Sequence, residues 1–305
     1  MDKTGNEAGQ ARIVLVGATG DLGLRIARAL SARGAEVLAL VREGAKTAAI
    51  ASSGAAIQTI DFNDAMALRD TLHGTSCVVS ALNGLEDTII GLQGRVLDAA
   101  VAAGVQRFIP SDYSLDFTKT KPGRNRNLDL RRCFMARIDA APIRATSILN
   151  GAFADLLAGQ APIVLRGPRI VLHWGGADQL LDFTTKDDVA AYTAAAALDP
   201  DTPRILRIAG DSVTPRDLAA TMQMLTGHRF RLVRPGGTPV LSAIIKVARV
   251  LAPQPSAVFP AWQGMQYLRD MVDGSGKLAP LDNDRYLDMS WTKAQQVLAD
   301  AGERP

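Results

Sequence analysis

Glycines 17, 20 and 23 stand in the string Gly17-Ala18-Thr19-Gly20-Asp21-Leu22-Gly23, directly after an apolar run and at the head of an amphipathic stretch. That spacing suits one task, cradling a pyrophosphate. Gly17 permits a tight turn, Gly20 lets the backbone approach the phosphates, and Gly23 lets a helix pack closely on a strand. The free N–H groups and positive dipole end of the helix then face the anion. Thr19, Asp21 and Leu22 complete the candidate loop. After the second apolar run stands Arg42, followed by Glu43 and Lys46. An acidic residue there would bind a ribose 2′-hydroxyl, whereas a guanidinium suits a 2′-phosphate through charge-assisted bonds. Arg42, with Lys46, therefore points to NADP(H); Glu43 is the contrary detail. Asp61-Phe62 follows the third run and could touch adenine. Ser80-Ala81-Leu82 follows the fourth, where ligands bind at the carboxyl edge of such sheets.

These residues need a scaffold of a particular kind. Continuous apolar runs at residues 12–16, 35–41, 56–60, 77–80, 105–109 and 143–149 read as buried strands. Between them, residues 21–32, 63–72, 91–103 and 128–140 read as helices. Strands of this type separated by helices predict an α/β fold, a Rossmann-type doubly wound parallel sheet. A polar, basic loop is expected over residues 114–127. Later segments are less regular, with strand-like 169–173, 180–184 and 204–208, helix 186–198, a helix opened by Thr214-Pro215, and a mostly helical 238–273. The expected domains are a nucleotide domain over 11–155 with a return segment near 178–200, and a smaller, mostly C-terminal substrate lobe over 156–305.

Bulk properties narrow the function. Hydrophobic residues are 47 % and charged residues 21 %, ordinary for a globular chain. A net charge of +3 gives no reason to expect nucleic acid as a partner. The two cysteines, Cys77 and Cys133, form no disulfide framework, and no Cys or His has metal-ligand spacing, so no metal is expected. Residues 1–10 are polar and read as a loose tail rather than a signal. No apolar run is long enough to cross a bilayer. The expectation is a cytoplasmic monomer or homodimer with no membrane contact, acting on a small molecule.

With the glycine loop, Leu40-Val41-Arg42 and Arg107-Phe108-Ile109-Pro110-Ser111-Asp112-Tyr113, the chain resembles the NmrA-like and isoflavone-reductase-like group of atypical short-chain dehydrogenases/reductases. A loop, a helix and a strand ending in Asn150-Gly151-Ala152-Phe153 follow as in that group. The likeness is good over residues 11–155 and persists weakly to about 200. It implies a preference for NADPH, with Arg42 as the 2′-phosphate arginine and Pro110 and Ser111 near the nicotinamide ribose; Asn150 is a further candidate cofactor contact. Members reduce phenylpropanoid or other aromatic substrates, or quinones; others only sense NADP and bind regulatory partners.

Departures from the group bear on catalysis. The superfamily's Tyr-x-x-x-Lys is absent, because Tyr113, Tyr192, Tyr267 and Tyr286 meet Phe117, Ala196, Met271 and Ser290 at that spacing. The group's helix lysine aligns with Arg131, which hardly deprotonates but can polarise a carbonyl. Tyr113, at the ligand edge, and Lys119 and Lys121, in a loop of residues 112–126 expected to act as a lid, are the other candidate acids. Arg124, Arg126, Arg132 and Arg137 extend the basic stretch, read either as a solvated face or as an anion site. His173-Trp174 could line the substrate lobe. The run Phe259, Trp262, Met265, Tyr267, Leu268 and Met271 has the spacing of core packing. The expected function is NADPH-dependent reduction of a small aromatic quinone, enone or carbonyl. A quinone or activated alkene is favoured, since its product oxygens can take protons from water. The alternative is a non-catalytic NADP(H)-sensing protein.

Overall fold

A strand that is apolar on both faces is stable only when both faces are covered. From Ile13 to Val16, β1 (Arg12–Val16) is wholly buried. The computed structural model describes residues 10–159, 161 and 163–302. Of the tail expected over residues 1–10, all but Gln10 lies outside the described residues. The chain continues through α1 (Asp21–Ala32), β2 (Glu36–Val41), α2 (Ala48–Ala51), β3 (Ala56–Thr59), α3 (Ala65–Leu72), β4 (Cys77–Ser80), α4 (Gln93–Ala102), β5 (Arg107–Ile109), α5 (Arg126–Asp139) and β6 (Arg144–Ala145). The sheet order is β3-β2-β1-β4-β5-β6, with every pairing parallel. The predicted doubly wound sheet is therefore present.

The second half runs β7 (Ser147–Leu149), β8 (Ala152–Phe153), β9 (Val164–Leu165), β10 (Ile170–Leu172), β11 (Leu181–Thr184), α6 (Lys186–Leu198), β12 (Ile205–Arg207), β13 (Asp211–Val213), α7 (Pro215–Thr226), β14 (Arg231–Val233), α8 (Thr238–Leu251), α9 (Ala261–Val272) and α10 (Ala294–Asp300). The helix expected over 91–103 starts earlier, with a π-helical turn over Asp87–Leu92 that runs into α4. The sixth strand expected over 143–149 is broken at Thr146. Thr146 N donates to Phe108 O of β5 at 3.0 Å, and Ser147 N donates to Arg204 O at 2.9 Å. The backbone thus passes from one partner to another, and β7 pairs with β12.

Three apolar clusters hold the molecule together. One lies on the α1 and α6 side of the sheet and joins Ile13, Leu15 and Ile26 to Val189, Tyr192 and Ile208. The opposite face packs against α3, α4 and α5 through Leu68, Val96, Leu97 and Phe134. The third, in the C-terminal half, gathers Phe117, Leu149, Phe183, Met222, Met271 and Leu298. Residues 114–117, expected as the start of a polar, basic loop, are buried. Leu115 and Phe117 join the third cluster, and the fully buried Asp116 accepts from Arg207 Nε at 2.7 Å. The N-terminal part of the expected lid is consequently core.

Candidate active site

The phosphate loop is built by steric necessity. Gly17 has φ +88°, and a Cβ on it would come within 2.7 Å of the Ala81 backbone. A Cβ on Gly23 would overlap the Gly17 carbonyl outright. The loop is thus wedged against the end of β4 on one side and the first turn of α1 on the other. Gly20 is the N-cap of α1, and no side chain caps the helix there. Its first-turn N–H groups remain free for an acceptor. Thr19, Gly20 and Asp21 are exposed at this mouth. A carboxylate at Asp21 would repel phosphate, yet Lys186 Nζ at 2.7 Å and Arg25 Nε at 2.8 Å donate to it. Those bonds hold its pKa below the ordinary carboxylate range.

A groove lies at the carboxyl ends of β2 and β3, bordered by Arg42, Glu43, Asp61, Phe62, Asn63 and Arg95. Arg42 is exposed, and among the described residues no hydrogen bond engages its guanidinium. Asp61 Oδ1 accepts from Asn63 N and Nδ2, which fixes the turn. Phe62 is mostly buried in the core but still edges the groove. Lys46 is exposed in the loop before α2 and does not border this groove. Residues 42–47 are non-helical, so no turn of helix brings Lys46 to Arg42. Arg95 is a contributor that the sequence did not signal. It sits on α4, and its Nε donates to Phe62 O at 3.0 Å.

The loops after β4 and β5 are zipped together. Ser111 Oγ donates to Leu82 O at 2.6 Å, and Ser111 N donates to the buried Gln93 Oε1 at 3.0 Å. Gln93 gave no signal either, being an ordinary polar residue within a helical period. Pro110 is buried beside Ser111 in this same loop. At the carboxyl ends of β4 and β7, Ser80 Oγ and both side-chain atoms of Asn150 are buried without hydrogen-bond partners. Buried polar groups are normally satisfied. A cradle that a Cβ would fill, an uncapped helix end and these orphan groups along one edge fit a bound dinucleotide.

The four candidate acids are not brought together. Tyr113 is buried in the cluster between the sheet and α6. Its hydroxyl lacks a well-formed hydrogen bond, and burial drives its pKa far up. Its expected place at the ligand edge is corrected: the ring turns inward to bury its apolar area. Lys119 Nζ is strapped to Ala279 O at 3.0 Å and Asp116 Oδ2 at 3.3 Å. Lys121 is exposed. Arg131 is buried, donates only to Asn127 O among the described residues, and keeps an unpartnered Nε. Its charge acts on Tyr267 of α9, whose phenol burial pushes up and Arg131 pulls back. Arg131 and Tyr267 thus bring the two halves of the chain together, although the spacing of Tyr267 read as packing alone.

The remaining arginines of the basic stretch are each bonded to protein groups, Arg137 while exposed to solvent and Arg124, Arg126 and Arg132 while partly buried. Arg126 donates to Ala257 O and Val258 O, both at 2.9 Å, and stacks on Trp262 at 4.7 Å. Arg132 holds Phe117 O and Thr120 O, Arg124 pairs with Asp273 at 2.9 Å, and Arg137 pairs with Asp98 at 2.7 Å. They tie the α8–α9 region and the loop to α5. His173 Nδ1 is bonded to Gly175 O at 3.0 Å, and Trp174 packs on the third cluster. No group of acidic, His and Cys side chains suited to a metal occurs among the described residues.

The NmrA-like family matches residues 9–258. Pinoresinol reductase 1 of Arabidopsis thaliana is 30 % identical over 242 residues, 72 % of this chain and 76 % of that protein. The isoflavone reductase homolog IRL of Zea mays is 30 % identical over 245 residues, 73 % of this chain and 76 % of that one. AtPrR2, solved with NADP+ and (+)pinoresinol, superposes with a TM-score of 0.80 at 23 % identity, covering 96 % of this chain and 99 % of its own. At that identity the likeness is one of fold.

Proposed function

The chain belongs to the NmrA-like family, and from that premise we propose that it is an NADPH-dependent oxidoreductase reducing a small aromatic substrate. The observation that carries this reading is the uncapped N-terminus of α1 after β1, with a groove edged by Arg42 at the end of the neighbouring parallel strand β2. The relatives named above are reductases, one of pinoresinol by name and one an isoflavone reductase homolog, which favours catalysis over the sensing alternative.

When bound, NADPH supplies a hydride. The chain's own residues do the rest. The amides after Gly20 would hold the pyrophosphate, Arg42 and Arg95 would face the ribose phosphate, and Ser80, Ser111 and Asn150 would orient the nicotinamide half. Arg131 would polarise the acceptor oxygen, with the Tyr267 phenol near it. Substrate lies between the nucleotide half and the lobe of residues 156–305. An acceptor whose product oxygens draw protons from water, a quinone or activated enone, suits a site with no strong acid–base group. The free cysteines, Cys77 buried and Cys133 exposed, suit a reducing cytoplasm.

The test is NADPH oxidation against a panel of quinones, aryl enones and aryl ketones, with NADPH and NADH affinities measured by calorimetry alongside. Turnover of at least one aromatic acceptor with NADPH preferred is expected. Tight NADPH binding with no turnover across the panel would move the reading to the sensor.

A further inference from the structure

Helix α8 is buried on one side only. Leu241 and Ile245 pack inward, while Val240, Ile244, Val247, Val250 and Leu251 are 47, 38, 56, 80 and 78 % exposed. At about 100° per residue, these five side chains share an arc of about 120°. Phe259, in the turn to α9, adds a ring that is 57 % exposed. Soluble proteins scatter exposed apolar residues singly; a continuous stripe marks an interaction surface.

Charge says what that surface meets. Lys246 borders the apolar arc and is exposed without an ion pair among the described residues. From Leu218 to Leu268 the chain holds Arg229, Arg231, Arg234, Lys246 and Arg249, all exposed, and no Asp or Glu. A second copy of the chain packed through α8 would bring this acid-free segment against itself, with nothing in it to neutralise Lys246. An apolar helix face in a segment that carries basic but no acidic residues is instead complementary to anionic lipid headgroups over acyl chains.

We propose that α8 seats the protein on an anionic lipid bilayer, with its apolar arc in the headgroup–acyl boundary and its basic flank on the lipid phosphates. No helix of the described residues is long and apolar enough to cross a membrane, so this is attachment along the surface. It departs from the absence of membrane contact expected from the sequence. The 14 residues of α8 carry the wrong pattern for a span and the right one for lying flat.

The experiment is co-sedimentation of the whole protein with extruded vesicles of phosphatidylcholine alone and of phosphatidylcholine mixed with phosphatidylglycerol. Binding to the mixed vesicles is expected to be at least about tenfold tighter and to weaken as salt is raised. Val247→Asp with Leu251→Asp should abolish it, and Lys246→Glu should weaken it several-fold. Unchanged circular dichroism and NADPH affinity would establish that the variants are folded. Equal binding to both vesicle types, or binding that survives Val247→Asp with Leu251→Asp, overturns the proposal. So does a dimer in sedimentation equilibrium that these two changes dissociate, which would assign the face to a second copy.

Discussion

Arg42 and Arg95 reach the same groove from β2 and α4, and they differ in what holds them. Arg95 is already committed to a backbone carbonyl, whereas Arg42 is exposed and has no hydrogen-bond partner among the described residues. Arg42→Ala should therefore weaken NADPH by about 1.5–3 kcal/mol, the scale of charge-assisted hydrogen bonds, and leave NADH nearly unchanged. Equal losses in titration calorimetry would give Arg42 a structural role. Asp112 presents a different problem. It is fully buried, accepts from Ser147 Oγ at 2.5 Å, and burial pushes its pKa from 3.8 to about 6. The folded state thus keeps a proton that the unfolded chain releases. This group's contribution is most favourable below about pH 4, declines as pH rises toward about 6, and is constant above that. Two units correspond to about 3 kcal/mol. Asp112→Asn can still accept from Ser147 and carries no charge. It should raise stability near pH 7 relative to wild type and flatten the decline, as read from urea midpoints across pH 4 to 7. An unchanged pH dependence would show that another group titrates.

Helix α1 separates two glycines that look equivalent in sequence. Gly20 has the extended backbone of an N-cap, and a Cβ there would meet only Gly17 O at 3.4 Å. Asp is among the best N-caps. Gly20→Asp should therefore keep or slightly raise the stability of the free protein while its carboxylate occupies the N–H groups meant for phosphate. Dinucleotide binding should be lost. Gly23→Ala should instead destabilise the free protein, because α1 must move off the loop. If thermal melts ranked the two variants the other way, the wedge described here would be wrong. The same helix shows why parts of the site were legible. Its glycines, cap position and apolar face are local, as are the periods of β1, β2 and β4. Tyr113 was misread because its neighbours on α6 come some 80 residues later. Arg124 and Arg126 read as solvated because their partners, Asp273 and the backbone near Pro255, lie more than a hundred residues later in the chain. Gln93 and Arg95 were missed because nothing in a helical period separates a residue that faces a ligand from one that faces water. The break at Thr146 was hidden because β6 and β7 read as one apolar run.

Across the whole molecule, the nucleotide-binding half is assembled from separated stretches. Val189, Tyr192, Leu206 and Ile208 share a core with β1 and α1, and Tyr286 and Trp291 pack against it. Arg207 also pairs with the buried Asp116. We propose that the functional nucleotide unit is 11–155 completed by the segment of α6 and β12. A fragment ending at residue 155 would leave the α1 face of the sheet open. It should show native-like far-ultraviolet dichroism, dye binding and no cooperative melt; a sharp two-state transition would refute the proposal.

The pairing of β7 with β12 also imposes an order on birth. The ribosome makes Leu149 long before Arg207, and at about 5–20 residues per second the interval is roughly 3–12 s. Through that time β7 is an unpaired strand at the rim of a nascent sheet, the kind of edge that recruits neighbouring chains. Codon choice between these two strands, which alters no residue of the product, would set how long the newborn chain depends on a chaperone.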